Sequence, residues 1–256
     1  MAFVEYSIED GIARLTLTRP DKRNAMNDQM LADLEVAVDQ AASEALAVVI
    51  CGEGDHFCAG LDLAEHSLKT AIEGIDGSRN WHRVFQKIRG GRIPYFAALH
   101  GAVIGGGLEL ASVAHVRVAD RTAFFALPEG QRGIFVGGGG SVHTSRIMGV
   151  PLMTDMMLTG RVLDVDEARQ ANIVTYVTPA GEALAKATEL AKKAATNAPL
   201  SNYAVINALP RIRDSGYDEG LFFESMIAAF TQTTPEAHER LRAFLEKRAA
   251  RIAPKE

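Results

Sequence analysis

Two glutamates, Glu109 and Glu129, have residue types and surroundings that could carry out acid–base chemistry. Glu109 follows three consecutive glycines and has Leu108 and Leu110 as its neighbours, so its side chain is expected in apolar surroundings. Burying a carboxylate is costly unless the group has a partner or a task. Two carboxylates beside one substrate can act as general acid and general base.

The glycines at residues 105–107 lie between a predicted strand and a predicted helix. Glycine permits unusual backbone torsions. A helix that begins here directs unpaired N–H groups, and the positive end of its dipole, at a ligand. Such donors suit an oxyanion that develops during a reaction. The glycines could instead only permit close packing of strand and helix. They also give a weak dinucleotide-binding signal, which lacks an acidic residue at the expected distance.

Strands alternate with helices as far as residue 150, and helices dominate from there on. Predicted strands cover residues 3–8, 12–18, 46–51, 95–99, 116–119 and 173–177. Predicted helices cover residues 79–89 and 107–114, and another buries Met30, Leu34, Ala37, Val38 and Ala41. The alternation predicts an α/β core over residues 1–195 and a helical C-terminal region over residues 196–256. This region either folds over its own core or packs against a partner subunit.

The composition of the 256-residue chain excludes several classes of protein. Hydrophobic residues make up 47% and charged residues 23%, as in ordinary globular proteins. The 27 basic and 32 acidic residues argue against a nucleic-acid-binding surface. The start of the chain does not resemble a signal peptide, and the apolar stretch at residues 97–114 contains His100 and Glu109, so no membrane span is predicted. Cys51 and Cys58 match no zinc spacing, the histidines form no ligand cluster, and we expect a cytoplasmic protein.

Several segments in order along the chain resemble the crotonase (enoyl-CoA hydratase/isomerase) superfamily. The run F-C-A-G-L-D-L at residues 57–63 is similar to its F-x-A-G-x-D-[LI] loop. H-G-A-V-I-G-G-G-L-E-L-A at residues 100–111 resembles a second motif, and P-E at residues 128–129 a third, twenty residues after the first glutamate. Further similarity lies at residues 19–26, 158–161 and 166–168, and at Phe230 with residues 244–248. The resemblance implies a crotonase-like spiral of ββα repeats with a helical C-terminal region.

The resemblance also implies roles for individual residues. The amides of Leu61 and Gly106 would form an oxyanion hole for a coenzyme-A thioester. Glu109 would mainly activate water, and Glu129 would transfer the proton at the α carbon. The implied substrate and coenzyme-A contacts are Lys22, Arg23, Ala25, Ala59, Gly60, Asp62, Leu63, Gly105, Phe230 and Lys247. No metal or separate cofactor is expected, since coenzyme A is part of the substrate. Relatives form homotrimers or hexamers built as dimers of trimers.

Some positions depart from the usual hydratase pattern. Val136 stands where a proline is common, His143 replaces an arginine, His115 an aspartate and Asn172 a helix-ending glycine. The four glycines at residues 137–140 suggest a pliant loop. The variable stretch at residues 64–90, with His66, Trp81 and His82, would border the acyl pocket; it could equally be an ordinary amphipathic helix.

The two glutamates favour hydration or a related lyase reaction. Three other functions stay open: an enoyl-CoA isomerase that shuttles a proton with one carboxylate, a thioester hydrolase, and a non-catalytic binding module. For the hydrolase, Cys58 is the candidate thiol, although no histidine is placed by sequence to activate it. A binding module would be expected to lose Glu109 or Glu129, and both are present.

Overall fold

A six-stranded sheet forms the centre of the computed structural model, which describes residues 2–66 and 70–248. The strands are β1 (Val4–Glu9), β2 (Ile12–Leu17), β3 (Ala47–Gly52), β4 (Tyr95–Leu99), β5 (Ala102–Ile104), β6 (Val116–Asp120), β7 (Phe124–Ala126), β8 (Val162–Leu163) and β9 (Tyr176–Thr178). The large sheet has the order β1-β2-β3-β4-β6-β9, and its neighbours are parallel except for the β1–β2 hairpin. A second sheet has the order β5-β7-β8.

The helices of the first 195 residues connect and cover these strands. They are α1 (Asp28–Glu44), α2 (Leu63–His66), α3 (Ala71–Arg89), α4 (Gly106–Val113), α5 (Gly140–Met148), α6 (Val150–Thr159), α7 (Val165–Gln170) and α8 (Ala183–Ala195). Parallel neighbours such as β2 and β3 need a crossover connection, and α1 supplies it.

The chain divides into two compact units, Met1–Ala195 and Thr196–Glu256. The second unit contains α9 (Pro199–Asp214), α10 (Tyr217–Thr231) and α11 (Pro235–Leu245). Exposed large apolar side chains are frequent in α10, where they include Tyr217, Leu221, Phe222, Phe223, Met226 and Phe230. None of the helices in the described parts of the chain is long and apolar enough to span a bilayer.

The two faces of the large sheet are buried by different side chains. On one face, α8 places Ala183, Ala187 and Ala191 four residues apart, against a layer that includes Val49 and Phe96. The small alanine side chains let this helix approach the strands closely. The other face belongs to the larger core, to which α1 contributes Met30, Leu31, Leu34 and Val38 and α3 contributes Val84, Phe85 and Ile88.

Two strand predictions differ from the structure. The strand expected at residues 173–177 is β9 and begins only at Tyr176, because the amides of Ile173 and Val174 donate to the carbonyl of Ala168 and terminate α7. Ala102–Ile104 and Phe124–Ala126 are not among the predicted strands, yet they form β5 and β7 and pair with each other. Both strands are only three residues long, so the alternation of side chains is too brief to recognise.

The helix predicted at residues 79–89 begins eight residues earlier, at Ala71. Thr70 caps it through a capping box with Glu73: the Glu73 amide donates to the Thr70 hydroxyl, and the Thr70 amide donates to the Glu73 carboxylate. Glycines at positions 74 and 77 weaken the helical pattern of these first turns. The additional turns have a functional consequence, because they form one wall of the cavity described next.

Candidate active site

The loop at residues 57–62 lies directly against β5. The Cys58 amide donates to Ala102 and the Ile104 amide to Cys58, both at 3.0 Å. Gly60, at φ 95°, completes this approach, since a β-carbon there would lie 2.7 Å from the carbonyl oxygen of Ile104. Gly60 is therefore required both by its left-handed backbone and by the lack of room.

Two backbone amides meet where this loop contacts the start of α4. They belong to Leu61 and to Gly106, the first residue of the helix. A β-carbon added to Gly106 would lie 3.5 Å from the Leu61 nitrogen, so the two segments are adjacent. Within residues 2–66 and 70–248, neither amide donates to a protein acceptor. Two unpartnered donors beside a helix N-terminus form a site suited to a carbonyl oxygen that gains negative charge.

Glu109 lies on the first turn of α4 and is 4% exposed. Its Oε1 atom accepts hydrogen bonds from the amides of Gly138 at 2.9 Å and Gly140 at 2.7 Å. Burial raises the pKa of Glu109 to about 7; the amide bonds oppose this shift, and the nearby charge of Glu129 adds to it. The carboxyl group can therefore exchange a proton near neutral pH while its position is fixed by the glycine loop.

Glu129 follows β7 and is 7% exposed. Its Oε1 atom lies beside Gly105, where a β-carbon would approach it to 2.7 Å. Its Oε2 atom is buried and has no hydrogen-bond partner within the described residues. Burial raises the pKa of Glu129 against the opposing charge of Arg132. A carboxyl group with a raised pKa is protonated more readily than an exposed one, so it is suited to proton transfer.

A cavity of about 840 Å³ brings these groups together. Its lining includes Leu61, Gly106, Glu109 and Glu129, all four of the residues predicted to take part in chemistry. The first three turns of α3 form another wall, and residues 134–138 a third. The volume lies in the range of pockets that enclose small-molecule ligands.

Trp81 fixes the spacing between these walls. It is 6% exposed and packs edge-on against Phe85, with ring centroids 5.4 Å apart. Its ring atoms would lie 2.8 Å from a β-carbon at Gly106, and also 2.8 Å from one at Gly138. Glycine is therefore needed at both positions for the ring to fit between the oxyanion loop and the loop that holds Glu109.

Five of the predicted substrate contacts lie around the reacting groups. Ala59, Gly60, Leu63 and Gly105 line a small adjoining pocket with Leu61 and Glu129. Asp62 is next to it and pairs with Arg19 at 3.1 Å, with both side chains largely buried. The Arg19 guanidinium also donates to the carbonyl of Ala25, so this ion pair ties the oxyanion loop to the segment before α1.

The other predicted coenzyme-A contacts are not gathered by the structure in the same way. Lys22 and Arg23 are exposed at the end of the short turn Pro20–Lys22. Phe230 and Lys247 are exposed and belong to the second unit. Their contact with coenzyme A stays a prediction.

Cys58 is completely buried, which removes it as a candidate nucleophile. Its thiol donates to the carbonyl of Asn24 at 3.0 Å, and burial raises its pKa to about 12. The thiolate needed for attack is therefore scarce at neutral pH. Cys58 instead helps to hold the oxyanion loop, since its sulfur also accepts from the Gly60 amide.

Three departures from the usual pattern have structural explanations. The Tyr95 amide donates to Nδ1 of His115 at 2.9 Å, and the other ring nitrogen lies 3.1 Å from the Arg89 carbonyl, which matches a neutral ring with its proton on Nε2. Burial lowers the pKa of His115 to about 4. Asn172 ends its turn at φ 61°, a conformation that asparagine tolerates. Val136 is buried and lines the cavity.

The glycines at residues 137–140 have a role that the sequence analysis missed. They were expected only to make the loop pliant, yet the amides of Gly138 and Gly140 hold Glu109. His143, one turn into α5, is half-buried beside Gly139, and burial lowers its pKa to about 4. Among the described residues, no three His, Cys, Asp or Glu side chains are grouped as metal ligands.

Comparison with known proteins agrees with this geometry. The sequence pattern of the enoyl-CoA hydratase/isomerase family matches residues 7–253. The chain is 34% identical to 2,3-dehydroadipyl-CoA hydratase of Escherichia coli K12, over 94% of this chain and 95% of that protein. It is 31% identical to the short-chain-enoyl-CoA hydratase of Clostridium acetobutylicum, over 94% and 93%.

Solved structures agree as well. A Rhodopseudomonas palustris CGA009 protein superposes with a TM-score of 0.93 at 49% identity, covering 96% of this chain and 95% of that one. Enoyl-CoA hydratase from Thermoplasma volcanium GSS1 superposes with a TM-score of 0.90 at 27% identity, covering 95% and 98%. The chain therefore belongs to the enoyl-CoA hydratase/isomerase family and has the crotonase fold.

Proposed function

We propose that the protein is an enoyl-CoA hydratase that adds water syn across the double bond of an α,β-unsaturated acyl-CoA. The observation that carries the proposal is the position of two buried glutamates on the same cavity as two amides that have no acceptor among the described residues. An α,β-unsaturated thioester needs both features. Its carbonyl oxygen gains charge during reaction, and its two alkene carbons receive a hydroxyl and a proton.

The thioester carbonyl oxygen accepts hydrogen bonds from the amides of Leu61 and Gly106. As water attacks the β carbon, the electrons of the double bond move toward this oxygen and an enolate forms. Donors that are already fixed in place stabilise that charge without reorganising, and loss of one such donor typically costs about 2.7–4 kcal/mol. Because the contribution comes from the backbone, a leucine at position 61 is compatible with the role.

The two glutamates divide the proton transfers. Glu109 takes a proton from the attacking water as the new carbon–oxygen bond forms. Glu129 delivers its proton to the α carbon as the enolate collapses. The amides of Gly138 and Gly140 support this assignment, since they favour the charged form of Glu109. The partnerless Oε2 atom of Glu129 favours the protonated form. The pair titrates as a coupled unit, so its apparent pKa values belong to both groups.

The coenzyme-A portion of the substrate is proposed to use the predicted contacts. Ala59, Gly60, Asp62, Leu63 and Gly105 surround the thioester, and Lys22, Arg23 and Ala25 lie beside the adenine and phosphates. Phe230 and Lys247 are proposed as further contacts of the substrate. The reaction as proposed requires no metal or additional cofactor, because polarisation and proton transfer come from the amides and carboxylates.

The exposed side chains of α10 support a proposal of self-association into trimers, or hexamers built as dimers of trimers. Phe222, Phe223 and Met226 are each more than half exposed in the single chain, and several large exposed apolar side chains on one helix favour burial in an interface. Size-exclusion chromatography with light scattering tests the assembly. A cytoplasmic location is proposed with it, in keeping with two isolated buried cysteines.

The test of the reaction uses crotonyl-CoA together with a panel of branched and aromatic enoyl-CoAs. Absorbance of the conjugated thioester and release of free thiol are followed in parallel. Loss of absorbance without thiol supports hydration, whereas thiol release indicates hydrolysis. Mass spectrometry separates hydration from isomerisation: hydration adds the mass of one water, whereas loss of absorbance without a change in mass indicates an isomerase that moves the double bond. No reaction on any substrate, with coenzyme A still bound, indicates a binding module.

A further inference from the structure

The wall that α3 contributes to the cavity is built from small side chains. Gly74, Gly77 and Ser78 occupy neighbouring turns and line the cavity together with Ala71. A β-carbon added to Gly74 would meet no atom within 4 Å, so this turn faces open space. Glycine inside a helix costs about 1 kcal/mol relative to alanine. The helix therefore gives up stability at a place where it leaves room for an acyl chain.

Two arginines of α3, Arg79 and Arg83, differ in their partners. Arg79 lines the cavity and makes no ion pair or hydrogen bond within the residues that the structure describes. Arg83, one turn further along α3, is paired with Glu35 and also donates to Asn80. Of the acids on the cavity wall, Glu109 is held by glycine amides, and neither Asp28 nor Glu129 pairs with Arg79.

Polar groups beside Arg79 extend toward the catalytic loop. The Ser78 hydroxyl donates to the carbonyl of Gly137 at 2.6 Å, and the Nε2 atom of His82 lies 3.4 Å from the same hydroxyl. His82 also borders Gly139, within the loop that holds Glu109. Arg79 and His82 are three residues apart on the helix and so lie on the same face.

An exposed arginine needs no partner while it is hydrated, but Arg79 lines the cavity that also contains the reacting groups, so a substrate bound there would displace part of its water. A guanidinium that loses its water without gaining an acceptor opposes binding. A carboxylate matches it in charge and in geometry, since two parallel N–H groups can donate to its two oxygens.

We propose that the preferred substrates are enoyl-CoA thioesters whose acyl chain ends in a carboxylate. Arg79 binds this distal carboxylate with His82 as a second donor. The proposal rests on the hydratase function above, and it adds the acyl class to it. Apolar lining from Trp81, Ile134 and Val136 contacts the methylene carbons between the two ends of the acyl group.

The test compares two substrates of equal chain length, 2-hexenoyl-CoA and the analogue in which its terminal methyl is a carboxylate. The wild-type enzyme is expected to have the higher kcat/KM on the carboxylate. In Arg79→Gln, the ratio of kcat/KM values, carboxylate to methyl, is expected to fall by about 10–100-fold, the range for hydrogen bonds to charged groups. Arg83→Gln is the matched control and should leave the ratio unchanged.

Each other outcome is decisive. An equal loss on both substrates in Arg79→Gln assigns the arginine to the coenzyme-A phosphates and rejects the inference, as does an unchanged ratio. If the wild-type enzyme hydrates 2-hexenoyl-CoA but does not prefer the carboxylate, the acyl assignment fails and the hydratase function stands. Absence of hydration on both substrates removes the hydratase function itself. The melting temperature of Arg79→Gln checks that the variant folds. It should stay close to that of the wild-type protein, because the Arg79 side chain is exposed.

Discussion

The Gly140 amide donates to Oε1 of Glu109 across 2.7 Å, joining residues 31 positions apart in the chain. Gly140 is the first residue of α5, so the helix begins with its positive end at the carboxylate. A side chain at this position would collide with the group that it now holds. A β-carbon at Gly140 would lie 2.8 Å from both Cγ and Oε1 of Glu109.

Gly140→Ala is therefore expected to displace the Glu109 carboxylate and to lower kcat by about 10²-fold, the lower end of what acid–base catalysis contributes. Gly137→Ala is the matched comparison in the same loop. A β-carbon there meets only the Ser78 hydroxyl, at 3.8 Å, so its loss should be far smaller. Steady-state kinetics with crotonyl-CoA measures both; equal losses would show that loop flexibility, and not the position of Glu109, limits the rate.

Glu109→Gln and Glu129→Gln are each expected to lower kcat by about 10²–10⁴-fold, because the amide can neither take nor deliver the proton. Both variants should fold, since glutamine has nearly the same shape. Glu182→Gln, at an exposed glutamate, serves as the control. Near wild-type turnover in both site variants would refute the mechanism.

The rate should depend on pH through Glu109. Its carboxylate must be charged to accept the proton from water, and burial raises its pKa to about 7. The value of kcat/KM is thus expected to rise as pH increases toward about 7 and then to level off. A pH–rate profile measures this limb. A profile that is already flat at about pH 5 would mean that Glu109 is not the base.

The raised pKa of Glu109 also makes folding stability depend on pH. Stability decreases as pH rises, whereas the catalytic rate is expected to increase. The folded-state pKa of Glu109 is raised from its ordinary value of 4.5 to about 7, so between these values the folded protein retains a proton that the unfolded chain releases. Folding stability from this group is intact below the unfolded pKa and decreases as pH rises through the folded one, by about 3 kcal/mol in total.

Glu109→Gln removes that titration. Its free energy of unfolding relative to wild type should increase as pH rises from about 5 to about 8. Urea denaturation at several pH values gives the comparison. A difference that stays constant with pH would show that the carboxyl group is ionised throughout, contrary to its burial.

Substitutions at the oxyanion site can separate the contribution of the backbone amides from that of the side chains. Gly106→Ala should lower kcat by about 10²–10³-fold, the effect of losing one oxyanion donor, because its β-carbon would lie 2.8 Å from the Trp81 ring and shift the amide. Leu61→Ala keeps the second amide and should mainly change KM. Single-turnover kinetics separates these effects. A larger loss of kcat in Leu61→Ala than in Gly106→Ala would contradict the proposed source of the donors.

The sequence by itself determined which residues can do chemistry and much of the local structure around them. An apolar setting for Glu109 and a glycine run before α4 predicted a buried acid and a helix N-terminus, and both are present. These features depend on neighbours within one turn of helix, so their pattern can be read along the chain. The sequence did not predict β5 and β7, because strands of three residues are too short to show an alternation of apolar and polar side chains.

Tertiary structure alone decided which distant segments meet. The glycines at residues 137–140 indicated only flexibility until packing placed two of their amides on Glu109. In the sequence, Arg79 and Arg83 are two similar arginines of one helix. Only the structure shows that Arg79 lies on the cavity wall and that Arg83 pairs with Glu35. Sequence periodicity indicates whether a side chain is buried. Which group it then contacts depends on how segments far apart in the chain pack together.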